Sequence, residues 1–68
     1  SSQEYWMAKC FILLGDAYRL QSDYFQAKAT LQSVLNGYKP TNDSIHTDAQ
    51  AVMELINSME DQSKKQAK

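Results

Sequence analysis

The chain has 68 residues, a formal net charge of −1 and a single cysteine. That excludes an internal disulfide and a cysteine-built metal cluster. A chain of this length buries only about 60% of its unfolded surface, so it must pack closely or lean on neighbours. Residues 1–61 carry four basic against eight acidic groups, because Lys64, Lys65 and Lys68 lie beyond them. A module that grips nucleic-acid phosphates needs the opposite balance. With 43% hydrophobic residues, two glycines and one proline, the composition is that of a globular chain. No apolar run reaches transmembrane length. The first residues also lack the basic start and apolar centre of a signal peptide.

The first predicted helix spans about Gln3 to Leu20, with Ser1 and Glu4 at capping-box spacing. Tyr5, Trp6, Met7, Ala8, Cys10, Phe11, Ile12, Leu13, Leu14, Ala17, Tyr18 and Leu20 make it apolar nearly all round. A surface helix needs one apolar face, so this one expects cover on two sides. Lys9, Asp16 and Arg19 define a narrow polar strip. Gly15 interrupts the apolar run at a cost of about 1 kcal/mol relative to alanine. Close approach by a second helix backbone accounts for it.

Gln21, Ser22 and Asp23 break the pattern, and Ser22 or Asp23 can cap the next helix; Asp23 and Gln26 have box-like spacing. This second helix is predicted from Asp23 to Leu35, with Tyr24, Ala27, Leu31 and Val34 on one face. Asn36-Gly37 reads as its stop, with Gly37 left-handed, and Pro40 bars continuation. The short connection makes the first two helices an antiparallel hairpin. Asp43 or Ser44, with Thr47 as a later alternative, caps a third helix. Its stripe is Ile45, Ala49, Val52, Ile56 and Met59, widened by Met53 and Leu55. Beyond Met59 the chain is polar, a fraying helix end or a disordered tail.

The spacing Phe11-x2-Leu14-Gly15-x2-Tyr18, then Ala27-x3-Leu31, then Pro40, resembles the tetratricopeptide repeat. Phe11 stands for the usual tryptophan and Leu31 for the usual aromatic. The resemblance covers residues 8–40. It implies an all-α fold: an antiparallel helical hairpin over residues 1–40, a capping helix over 41–62 and a polar tail over 63–68, as a fragment of an α-α superhelix. Gly15 and Ala27 would lie where the helices cross, with Leu14, Tyr18, Tyr24 and Leu31 filling around them. Ala49, Val52, Leu55, Ile56 and Met59 repeat the spacing of Ala8, Phe11, Leu14, Gly15 and Tyr18. Ile56 in the glycine position blocks a further close crossing, which suits a helix that ends an array.

By the same resemblance, Lys9, Ile12, Asp16 and Arg19 would line an inner groove that binds a protein or peptide. Ile12 and Asp16 stand where a carboxylate clamp needs basic and amide groups, so the resemblance does not extend to clamp-type binding. The other reading of this strip is a solvated face with an Asp16–Arg19 pair. Tyr5 and Trp6 would meet an upstream repeat, or a second copy of the chain. The expected function is a non-catalytic interaction or scaffold module. Alternatives are a homo-oligomerisation element, an accessory module of a regulatory or sensor protein, and a self-contained three-helix bundle. Cys10 reads as a small buried hydrophobe. His46 reads as a surface residue near the third helix start. No phosphate loop, metal-spaced cluster or nucleophile elbow is present, so no cofactor is expected.

Overall fold

The computed structural model describes residues 2–66 and contains three helices: α1 (Ser2–Leu20), α2 (Tyr24–Gly37) and α3 (Ile45–Gln66). The Ser1 cap lies outside the described residues. The chain is all-α: α1 and α2 form an antiparallel hairpin, and α3 packs on both.

The α1–α2 turn is a complete Schellman motif. The amide of Asp23 donates to the Tyr18 carbonyl at 2.9 Å, and that of Ser22 to the Arg19 carbonyl at 2.9 Å. Ser22 carries the left-handed backbone this motif needs, at φ 63°. Asp23 then caps α2, its carboxylate accepting from the Gln26 amide at 3.1 Å. One residue ends the first helix and the next starts the second, which fixes the hairpin angle.

The predicted left-handed Gly37 is not found. Gly37 is the last residue of α2 and has no positive φ. The helix exits through Tyr38, which is extended at φ −83° and ψ 113°. Pro40 lies two residues beyond and disfavours helix in Lys39, so the helix ends before it. The Tyr38 hydroxyl donates to the Asp43 carboxylate at 2.6 Å, and the other Asp43 oxygen accepts from the Ile45 amide at 3.1 Å. Ser44 at the start of α3 donates to Asp48 at 2.9 Å. Asp43 thus ties the end of α2 to the start of α3.

The core joins Ala8 and Ile12 of α1, Ala27, Leu31 and Val34 of α2, and Ile45, Ala49, Met53 and Ile56 of α3. Leu31, Ile45 and Ile56 are fully buried, each contributing roughly 1.5–3 kcal/mol by leaving water. The expected crossing at Gly15 is present. A Cβ built there would lie 1.8 Å from Leu31 Cδ2 and 3.5 Å from the Ala27 carbonyl oxygen. Lys28 of α2 reaches Glu60 of α3 at 2.7 Å. That hydrogen bond, opposed in part by desolvation, holds the Glu60 carboxyl below its usual range. Helix α3 continues past Met59 through Lys64 and Lys65 to Gln66.

Candidate functional site

The buried side of α1 is narrow. Ala8, Ile12 and Gly15, at steps of four and three, are its buried residues. The opposite side is open. Trp6 is 62% exposed, Leu13 70% and Leu20 69%, with Met7 and Leu14 beside them. Cys10 is exposed, and so is Ala17. Trp6, Cys10, Leu13, Ala17 and Leu20 follow one another at four, three, four and three, which is one continuous helical seam. Among the described residues, then, the second apolar face of α1 has no cover.

Tyr5 and Trp6 were expected to share an outer face, and the structure separates them. Tyr5 packs against the core. Its ring meets Trp6 edge-on at 5.2 Å, which steadies the exposed indole. Lys9 sits with its ammonium 5.8 Å from the Tyr5 ring centroid.

The groove strip is only partly assembled. Asp16 accepts from Arg19 Nε at 2.7 Å, and Arg19 Nη1 lies 3.1 Å from Met59 Sδ on α3. Ile12 belongs to the core, not to a wet strip. Arg19 therefore faces α3, and Lys9 and Asp16 are left as the polar border between the core side and the open side. Cys10 also departs from expectation, being exposed where burial was expected. Both differences have one cause: on a helix apolar all round, periodicity alone does not say which face turns inward. One motif residue differs as well, since Leu14 is exposed rather than filling the crossing; Phe11 is exposed too.

The open face continues into a cleft of about 220 Å³ between the start of α1 and the end of α2. Met7, Phe11, Val34 and Gly37 line it, and nothing approaches within 4 Å of where a Gly37 Cβ would be. A second depression, between α2 and α3, is broken up by Lys28, Gln32, Gln50 and Asn57. That makes it a poorer apolar surface, although Phe25 at its edge is exposed. His46 is half-buried, its ring 5.7 Å from that of Tyr38. Among the described residues no group of three or more His, Cys, Asp or Glu side chains could hold a metal ion. No helix there is long and apolar enough to cross a membrane. Comparisons with protein-family models, curated proteins and solved structures return no match for this chain.

Proposed function

We propose that this chain is a non-catalytic protein–protein interaction module of the tetratricopeptide type, and that it binds through the outer face of α1. The observation that carries this reading is the uncovered seam Trp6, Cys10, Leu13, Ala17 and Leu20. Taken with Met7 and Leu14, the large side chains there leave roughly 600 Å² of apolar surface open, at about 200 Å² for a fully bare large side chain. The largest apolar patch on a typical monomer is about 300–600 Å². Its partner is a protein or peptide that presents an apolar helix, since a straight seam fits a helix best. The other side of the hairpin supports the same reading. There α3 closes the structure and turns Glu54, Asn57, Ser58 and Asp61 outward, as a terminal helix of a repeat array does.

Photo-crosslinking tests this in the cells that make the protein. A photoreactive residue at Leu13 is expected to yield protein adducts, and one at Glu54 is not. Equal yields at the two positions, or none at Leu13, would overturn the reading.

A further inference from the structure

Resting on that reading, we propose that the occupant of the α1 face is a second copy of this chain, docked with its α1 antiparallel to the first. The seam alternates in size: Trp6, Leu13 and Leu20 are large, Cys10 and Ala17 small. In a parallel pair each residue meets its own counterpart. Cys10 and Ala17 would then leave voids, and Trp6 would crowd the indole opposite. An antiparallel pair with its two-fold axis between residues 11 and 12 behaves differently. Trp6 faces the partner's Ala17, and Cys10 faces the partner's Leu13. Each of these four central layers joins one large and one small side chain, which is how facing helices fill space without voids, while Leu20 meets the partner's Gln3 at the rim.

Charge selects the same register. Lys9 and Asp16 border one edge of the seam, one heptad apart. With the axis between residues 11 and 12, Lys9 meets the partner's Asp16, and Asp16 meets the partner's Lys9. The Asp16 side chain is 35% exposed despite its bond to Arg19, so it has room for a second cation. The other edge, Met7 and Leu14, is apolar and brings Met7 against the partner's Leu14. A parallel pair would instead set Lys9 against that apolar edge. Polar border meets polar border only in the antiparallel arrangement, and opposite charges then set partner choice and orientation. The open apolar surface per copy, roughly 600 Å², falls below the ~800 Å² each partner contributes to a standard interface, which suits a pair that dissociates on dilution. A two-fold pairing also requires a self-complementary patch, and this seam is one.

Analytical ultracentrifugation of the 68-residue chain across concentration tests the proposal, with circular dichroism as the check on folding. The wild-type chain is expected to form dimers that dissociate on dilution. Leu13→Glu is expected to weaken them about 100-fold or more while helicity holds. Lys9→Asp alone, which sets two acidic pairs face to face, is expected to weaken them about tenfold. Lys9→Asp with Asp16→Lys is expected to restore wild-type affinity to within about twofold, because each pair is then only reversed. The charge exchange keeps the test decisive should Leu13→Glu unfold. A folded wild-type chain that stays monomeric at every concentration overturns the proposal. So does a dimer that Lys9→Asp alone leaves unchanged, or one that the double exchange fails to restore. A monomer that still crosslinks a different protein from Leu13 sinks the second copy and leaves the interaction module standing. A monomer with no crosslink at Leu13 sinks both.

Discussion

Gly15 and Leu31 occupy the same space: a Cβ on the first would fall 1.8 Å from Cδ2 of the second. Leu31 is fully buried, so its side chain must shift within the core to admit a Cβ. Gly15→Ala should gain up to about 1 kcal/mol in helix propensity and lose about 1–3 kcal/mol to overpacking. The expected net loss in urea unfolding is about 1 kcal/mol. Leu31→Ala alone should cost about 2–5 kcal/mol. In that background Gly15→Ala should become neutral or stabilising, and the double-mutant cycle reads this as coupling. Additive effects would show that the two side-chain positions do not compete.

Ser22 holds a left-handed backbone that a side chain opposes. Glycine adopts it freely, though it also gains freedom in the unfolded chain. Ser22→Gly is expected to raise stability by about 0.5–1 kcal/mol, and Ser22→Val to lower it by more. Denaturant midpoints at constant slope check both. A destabilised Ser22→Gly would mean that the serine hydroxyl matters more than its backbone.

The tie between Tyr38 and Asp43 has a pH signature. Its hydrogen bond, helped by burial and the nearby Asp43 charge, pushes the Tyr38 phenol up to about 12. The same bond, followed by that from the Ile45 amide, holds the Asp43 carboxyl below its ordinary value. Asp43 is lowered on folding, so its contribution is present above the unfolded carboxylate pKa of about 3.9 and is lost as pH falls through the folded value. Tyr38 is raised, so its contribution is complete below about 10 and is lost as pH rises through about 12. Ultraviolet titration should show Tyr38 ionising late. Asp43→Asn should return that step toward about 10. A late step that survives Asp43→Asn would assign the shift to another cause.

Cys10 lies on the seam and is open to solvent in the single chain. A small alkylating reagent should modify it in dilute protein nearly as fast as in the unfolded chain. Raising the protein concentration should slow the reaction if copies pair, since each Cys10 then sits against the partner's Leu13. Slow modification in the dilute folded chain would return Cys10 to the core.

Much of the fold is legible in the residues. Gly15 marks the crossing, Asp23 and Gln26 mark the start of α2, and the stripe from Ile45 to Ile56 marks the inner side of α3. What misleads is abundance and analogy. Tyr5 to Leu20 offers apolar residues in every direction, so Ile12 and Cys10 exchange the places expected of them. Gly15 holds the signal that resolves this, because the face that bears the crossing glycine must be the inner one, and Ile12 shares it. Gly37 misleads differently. A glycine shortly before a proline has the composition of a left-handed stop, yet α2 leaves through an extended Tyr38 tied to Asp43, and the left-handed position lies at the end of α1, at Ser22.

The polar outer side of α3 governs how far association can go. Under the proposed pairing the seam of α1 is the adhesive surface, and a two-fold pair consumes it on both members. Growth therefore stops at two. Replacing Glu54 and Asn57 by leucine beside the half-exposed Leu55 would add a second adhesive surface unlike the first. Contacts between unlike surfaces close only where the rotation completes a ring, so the terminating pair would give way to rings or open-ended fibres. The charges along α3 are in this sense a limit on stoichiometry, written on the side of the molecule away from the seam.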